Sequence, residues 1–396
     1  MKKGYKQTKV GVVPEDWEVA SIDSVLQRVR KKVDVNLTEE YQQIGIRSHA
    51  KGIFHKELVT GEVLGNKSVF WIEEDCFIVN IVFAWEQAVA KTTKNERGMI
   101  ASHRFPMYQS KDNKVLIDYI LYFFKSKRGK YLLGLASPGG AGRNKTLGQK
   151  EFSELKIPLP SLQEQEKIVE ILSTWDNAIA KQEALIKAKE QQKKGFMQKL
   201  LSGEVRFDGF DEEWGMVRLG DISTIIMGQS PSSNSYNEEA VGLPLIQGNA
   251  DCKDRKTAPR VYTKEITKKC SIGDIIMTVR APVGAVSKSL HNACIGRGVC
   301  ALKPKESNTF LYHFLVSYES KWVRYSQGST FTAINGTDIR ALKIKLPPNE
   351  EQQKIASVLT QAEKEIELLK NECILLKEQK HGLMQKLLSG VVRVKV

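Results

Sequence analysis

Three short groups of hydrogen-bonding side chains carry most of the chemical potential of the first 160 residues. Gly45-Ile46-Arg47-Ser48-His49-Ala50-Lys51 packs Arg47, Ser48, His49 and Lys51 into a Gly-flanked turn, Ser102-His103-Arg104 forms a second group, and Arg143, Asn144 and Lys145 a third. Between residues 208 and 347 the comparable side chains are Gln229 and Ser230, Gln247 and Asn249, Arg280, Arg297, and Ser329 with Thr330. Arginine, asparagine, glutamine, serine and histidine on rigid strands or loops are the side chains that hydrogen-bond base edges in a DNA groove. For any single one of them, an ordinary surface or turn residue is the competing reading. Asn80, inside an otherwise apolar run, is either a satisfied buried amide or a contact, and Phe83-Ala84-Trp85 reads as core.

Chemistry of other kinds is hard to assemble from these residues. Methyl transfer to a base needs a Gly-rich loop after a first strand for the cofactor and an NPPY-like loop for the flipped base, and neither is present. Residues 139–146 read GGAGRNKT, similar to a phosphate-binding loop, but Asn144 stands where the second Gly is required and no buried strand precedes it. The corresponding stretch Gln327-Gly328-Ser329-Thr330 has no lysine, so both read as plain loops that can touch DNA phosphate. Glu154-x-Lys156 lies in a connector whose second copy begins with Ala341, and no nuclease-type acidic cluster is recognisable. The six cysteines (76, 252, 270, 294, 300 and 373) show no C-x-x-C pairing, and no His lies in a ligand-spaced cluster. Reduced thiols and no metal are therefore expected.

What positions the polar groups is a long repeat. Leu155 to Phe207 and Leu342 to Val394 align without a gap at a constant offset (342 − 155 = 187), with about 23 of 53 positions identical. Each copy runs from a strand-like entry (LKIPLP, LKIKLP) to the exit MQKLLSG. In the first copy Ser161 and Glu164 have the spacing of a capping box, and Gly203 follows the last apolar residue, where a left-handed C-cap suits glycine. Ile168, Leu172, Trp175, Ile179 and Ile186 follow at alternating 4/3 spacing, with one seam position taken by Gln182, and the seam weakens at Lys189 and Lys193. The second copy is a cleaner series: Ile355, Leu359, Ala362, Ile366, Leu369, Cys373, Leu376, Leu383 and Leu387. Each copy predicts a helix of about 38 residues, hence about 57 Å long. An isolated helix of that kind does not keep an apolar seam in water, so each copy is expected to pair antiparallel with the other. Off the seam lie Val169, Ile171, Leu185, Met197 and Leu201 in the first copy and Val358, Ile374, Met384 and Leu388 in the second. A second apolar stripe points to a docking partner, with Met197, Leu201, Met384 and Leu388 as candidates; a wider core against the adjacent blocks is the competing reading.

Charge follows the same division. The chain has 396 residues and a formal net charge of +14. The repeats are near neutral, each holding eight basic against seven acidic residues over 161–207 and 348–396. The excess lies in 1–160 (26 basic, 18 acidic) and 208–347 (18 basic, 14 acidic), which suits a polyanion bound by the globular parts. In the first block, strand-like runs span 41–46, 68–72, 76–83 and 104–108, followed by helical periodicity over 116–135; in the second, strand-like runs span 244–247, 274–279 and 298–302, with a helix-like stretch over 309–322. Trp17 and Trp214 each sit a few residues before an apolar run. The fold class expected is α+β: two globular mixed α/β domains separated by two long antiparallel helices that form an intramolecular coiled coil with pseudo-two-fold symmetry. The boundaries expected are 1–157, 158–207, 208–344 and 345–396. The start, MKKGYKQTKV, lacks the apolar stretch of a signal peptide, and the longest apolar run, Phe77 to Trp85, is far short of the roughly 20 residues of a spanning helix. A soluble, cytoplasmic protein is expected.

With this layout the sequence resembles the specificity (S) subunit of type I restriction–modification enzymes over essentially its whole length. The resemblance is carried by the repeated helix entries and exits and by an ordered set of phrases in the second block. These are Gly228-Gln229-Ser230-Pro231, Gly242-Leu243-Pro244, Asp274-Ile275-Ile276-Met277, Arg280-Ala281-Pro282-Val283-Gly284 and Ile295-Gly296-Arg297-Gly298. It implies that each block is a target-recognition domain reading one half of a bipartite double-stranded DNA sequence. It implies that the helices space the halves and dock two methyltransferase (M) subunits, through which two restriction (R) subunits join, with no membrane partner. S-adenosylmethionine, ATP and Mg2+ then belong to the partners, and this chain is a non-catalytic subunit with no cofactor of its own. A stand-alone DNA-binding regulator or coiled-coil scaffold without methyltransferase partners is the alternative.

Overall fold

The computed structural model describes residues 4–8, 10–65, 67–139, 145–325 and 333–395. Two compact units divide the chain, Met1–Gln182 with Glu372–Val396 and Glu183–Asn371. The division falls inside two long helices, α3 (Leu162–Ser202) and α5 (Asn349–Leu388), so each unit owns part of both.

In the first unit two four-stranded sheets face a shared apolar layer of Ile44, Ile46, Ile72, Ile78, Ala90 and Met107. One sheet runs Ile53–Thr60, Glu40–Ile46, Ile100–Ser102, Val69–Trp71; the other runs Leu26–Val29, Met107–Ser110, Phe77–Val79, Val89–Lys91. The strand expected over 76–83 stops at Val79, because the Asn80 side chain accepts a hydrogen bond from Val82 N (3.1 Å) and turns the chain. The periodic stretch 116–135 is two helices, α1 (Ile117–Lys125) and α2 (Lys127–Leu135), broken at Ser126. Ser126 is extended (φ −72°, ψ 164°) and its hydroxyl caps α2 by accepting from Gly129 N at 3.0 Å. A second core joins Phe77, Phe123, Phe124 and Phe152 to Trp17 and to the helix residues Ile168, Leu172, Met384, Leu387 and Leu388.

The second unit has a six-stranded and a five-stranded sheet. Buried Ile275, Met277 and Leu302 pack against helix α4 (Asn308–Tyr318), which ends earlier than periodicity suggests and continues as a 3-10 segment, Glu319–Tyr325.

Within each unit α3 and α5 run antiparallel. Gln182 bonds Glu372 and Lys380 bonds Asp176 in the first; Lys189–Glu365 (2.7 Å), Lys193–Glu363 (3.1 Å) and Glu190–Lys370 (2.6 Å) pair in the second. Lys189 and Lys193, where the apolar seam weakens, thus reach across to the opposite helix. Ile168, Leu172, Ile179, Ile355, Leu359 and Ile366 of the predicted seam are buried, while Trp175, Ile186, Leu369, Leu376 and Leu383 are half-buried.

The four residues of the second stripe expected to dock a partner are largely covered within the chain. Leu201, Met384 and Leu388 are buried and Met197 is half-buried, because each helix end is covered by its own globular block as well as by the opposing helix. The apolar side chains left exposed on the long helices include Leu185, Phe196, Leu368, Ile374 and Leu375.

Both helix entries are built around a buried carboxylate. Ser161 Oγ accepts from Glu164 N (3.3 Å), as a capping box requires, but the Glu164 side chain turns away from the cap. It accepts from Trp17 Nε1 (2.9 Å) and from Arg393 Nε (2.7 Å) and Nη2 (3.0 Å). In the second unit Glu351 accepts from Trp214 Nε1 (3.0 Å) and from Arg206 Nε (3.0 Å) and Nη2 (2.8 Å). Each arginine comes from just beyond the exit of the other long helix, past a glycine with positive φ, Gly203 (+75°) or Gly390 (+71°). A Cβ on Gly390 would stand 2.4 Å from Pro14 Cγ, so both the turn and the packing require glycine.

Truncating a buried, fully bonded carboxylate strands its donors. Glu164→Ala is expected to cost about 3 kcal/mol, seen in chemical denaturation followed by circular dichroism. A pH effect is expected from the second unit. His313 is buried with Nε2 3.1 Å from Thr360 Oγ1, and burial pushes its pKa down to about 4. The unfolded chain binds the extra proton first, so stability present above pH of about 6.5 is lost as pH falls towards 4. His313→Phe, which fills the site without a titratable group, should flatten that pH dependence of the denaturation midpoint.

Candidate nucleic-acid interface

In the first unit the segment Ile81–Gln87 gathers the three predicted groups. It is held from below by Gln87, in the left-handed region (φ 58°), whose Nε2 donates to Phe124 O at 2.8 Å. The hairpin tip docks on it through Ser48 Oγ to Glu86 Oε2 (2.8 Å), His49 N to Glu86 O (2.7 Å) and Ala50 N to Gln87 O (2.8 Å). The Ser102–Arg104 turn joins through Ile81 N to Arg104 O (3.0 Å), and the third loop through Leu147 N to Ile81 O (2.8 Å). Lys145 Nζ lies 5.7 Å from the Trp85 ring centre. Arg143 and Asn144 lie outside the described residues.

Arg47 is supported from its own hairpin. Its guanidinium stacks on Phe54 (4.8 Å), and Phe54 in turn lies across Gly45, where a Cβ would stand 2.3 Å from the ring. Glycine at 45 is therefore a condition for the aromatic shelf under Arg47. Arg47, Lys51, His103 and Arg104 are exposed, and among the described residues none is in an ion pair with an acid.

Asn80 is a buried amide engaged in its own turn, so that alternative holds over a contact. The expectation that Phe83-Ala84-Trp85 is core holds only for Ala84. Phe83 is 38% exposed and Trp85 half-buried, because the 3-10 turn at Ala84–Glu86 points one residue inward and its neighbours to the surface. Arg28 and Arg30, which with Phe70 and His103 line a shallow groove, were not singled out. Their signal was the basic run Arg28-Val29-Arg30-Lys31-Lys32 at the end of a strand.

In the second unit the gathering segment is Ile295–Val299. Gly228 N donates to Val299 O (3.0 Å), Gln229 N to Ile295 O (2.9 Å), Gly296 N to Ile246 O (2.8 Å) and Val279 N to Gly298 O (2.9 Å). Four chain segments meet backbone to backbone, which glycine alone permits: a Cβ at Gly228 or at Gly298 would stand 2.1 Å from a carbonyl oxygen. Ser230 Oγ accepts from Arg297 N (3.1 Å), so this serine orients the arginine's backbone. Gln247 N donates to Asp251 Oδ2 (2.8 Å), and Asp251 also holds Arg260, a basic residue that sequence reasoning passed over. Asn249 is exposed at the start of a 3-10 turn. Ser329 and Thr330 lie outside the described residues.

Charge pairing separates these arginines from their neighbours. Arg255 pairs with Glu319, Lys256 with Glu367, Lys288 with Glu363 and Lys303 with Asp274. Arg280 and Arg297 are exposed and, among the described residues, carry no ion pair. Unneutralised guanidinium groups on a rigid backbone platform suit bidentate contact with base edges or phosphates. No group of three or more His, Cys, Asp or Glu that could hold a metal occurs among the described residues.

The type I restriction modification DNA specificity domain matches twice, over residues 14–190 and 211–378. The chain is 30% identical to the putative type I restriction enzyme MjaX specificity subunit of Methanocaldococcus jannaschii, over all of this chain and 98% of that protein. It is 25% identical to the MjaVIII specificity subunit of the same organism, over all of this chain and 97% of that one. Among solved structures, the HsdS subunit from Thermoanaerobacter tengcongensis shares 25% identity at a TM-score of 0.54, covering 96% of this chain and 98% of that one. A chain solved to show complex assembly and conformational transition of the type I R-M system shares 25% identity at a TM-score of 0.65, over 96% and 99%. With a specificity domain over each basic block, the chain belongs to the type I restriction–modification DNA specificity family and serves DNA sequence recognition in such a system.

Proposed function

We propose that the two blocks read the two halves of one bipartite duplex target, while α3 and α5 set the spacing and dock two methyltransferase subunits. Restriction subunits join through those. The observation that carries this is the pair of platforms, Ile81–Gln87 and Ile295–Val299, each presenting exposed arginines that carry no ion pair among the described residues, whereas Arg255, Lys256, Lys288 and Lys303 of the second block pair with acids. Arg47 and Arg104 serve the first half-site, Arg280 and Arg297 the second. S-adenosylmethionine, ATP and Mg2+ reside on the partners, and this chain supplies address without catalysis. The site of action proposed is the cytoplasm, where such a system meets DNA; no helix among the described residues is long and apolar enough to cross a membrane. For docking, the exposed apolar residues are Leu185 and Ile374 of the second stripe together with Phe196, Leu368 and Leu375, in place of the largely covered Met197, Leu201, Met384 and Leu388.

Methylome sequencing of cells carrying the assembled methyltransferase should report one bipartite motif with a fixed gap. Failure of the chain to co-purify with a methyltransferase subunit favours a stand-alone regulator. Arg47→Ala or Arg280→Ala should weaken cognate binding at constant salt by about 1–3 kcal/mol, each relaxing preference at one half-site only. Equal affinity for wild type and variant removes that arginine from the interface.

A further inference from the structure

In each unit the globular block and both long helices converge on a single carboxylate. In the first unit it is Asp176 of α3. The Tyr122 hydroxyl of α1 donates to Asp176 Oδ2 at 2.7 Å, and Lys380 Nζ of α5 donates to Oδ1. Lys380 and Lys125 both lie over the Tyr122 ring, at 5.4 and 5.7 Å. In the second unit it is Glu363 of α5. Lys193 Nζ of α3 donates at 3.1 Å, the Tyr312 hydroxyl of α4 at 3.4 Å and Lys288 Nζ at 3.3 Å. Lys288 also lies 4.1 Å from the centre of the Tyr312 ring. Asp176 and Glu363 occupy equivalent positions of the repeat, as do Lys193 and Lys380. The tyrosines come from blocks outside the repeat, so the same three-way bond is assembled from different parts.

The tyrosines and the paired lysines are largely covered, while the carboxylates keep some water, Asp176 at 45% and Glu363 at 25% exposure. Tyr122 is 7% and Tyr312 2% exposed, and the two lysine side chains 15% and 16%. Burial, then the neighbouring carboxylate, drives both phenols upward in pKa, so they remain donors. Burial alone would raise Glu363, but Lys193 and Lys288 outweigh it and hold the carboxyl below its usual range. Such a bond is weak evidence for stability and stronger evidence for a specified arrangement. A slip of one residue along either helix moves its side chain by about 1.5 Å and turns it by about 100°, far outside hydrogen-bond tolerance. An apolar seam is less exacting, since dispersion contacts have no direction.

The geometry points to Asp176 and Glu363 as positioning residues for DNA recognition: each makes the seating of its block conditional on the pairing of α3 with α5. They touch no base themselves and act through the angle at which α1 or α4 holds the platform with its arginines. This rests on the half-site assignment above.

The test uses the full-length chain, duplexes carrying the motif found by methylome sequencing, and duplexes of equal length with one or both halves scrambled. Asp176→Asn should lose about tenfold in affinity for the intact motif, with binding to the doubly scrambled duplex unchanged and the loss confined to the first half-site. Glu363→Gln should do the same at the second. The charge swap Asp176→Lys with Lys380→Asp keeps the pair between the helices but leaves the Tyr122 hydroxyl without its acceptor, so it should restore the denaturation midpoint and not the first half-site preference, whereas a purely stabilising role predicts recovery of both. Tyr122→Phe, which removes one hydroxyl, gives a smaller loss at the same half-site and covers the case in which the acidic variants fold poorly. Folded variants with wild-type half-site preference overturn the inference. A wild-type chain without half-site preference overturns the assignment of the blocks instead, and the inference with it.

Discussion

A carboxylate almost without contact with water stands at the start of each long helix, and the rest of the fold depends on it. The side chains of Glu164 and Glu351 are 3% and 0% exposed. Burying an ionised carboxylate costs several kcal/mol unless donors surround it. Here the donors are an indole from the start of the block and a guanidinium from beyond the exit of the opposite helix. Three distant stretches of chain are thereby obliged to meet. In the first unit they are residues 17, 164 and 393, so the C-terminal segment completes the unit that the N-terminal segment begins.

From that anchor the construction proceeds outward in the same order twice. The strand before the helix, Lys156–Leu159 or Lys343–Leu346, pairs antiparallel with the strand after the tryptophan, Glu18–Ser21 or Gly215–Arg218. A helix of the block, α1 or α4, then lies against the long helices, and the sheets stand on that helix. The polar platforms sit at the far end of this chain of supports. Their rigidity comes from backbone hydrogen bonds and from glycines where main chains approach too closely for a Cβ, which is what precise presentation of a guanidinium requires.

The two platforms differ in construction. In the first, a left-handed residue at Gln87 and an aromatic shelf at Phe54 support the polar tip. In the second, Gly228 and Gly298 let four segments pack main chain to main chain. The anchors are alike, and the platforms they support are not.

Much of the frame was legible in the residues alone. An ungapped repeat, a 4/3 apolar spacing, prolines at the entries and glycines at the exits are local signals, and local signals suffice to define helices and their order. The three polar groups around Arg47, Ser102 and Lys145 lie far apart in sequence, and that they meet along one segment is a fact of the fold which their spacing did not show. What tertiary structure alone decided was which side of a residue faces what. Glu164 read as a capping residue and is an anchor; Met384 and Leu388 read as a docking stripe and are core; Phe83 read as core and is surface. Asp176, Lys380 and Tyr122 carried no mark at all, because each is ordinary in its own helix and becomes a unit only when three helices meet. Periodicity determines the face of an element, whereas the partner that covers that face is set by contacts between residues far apart in the chain.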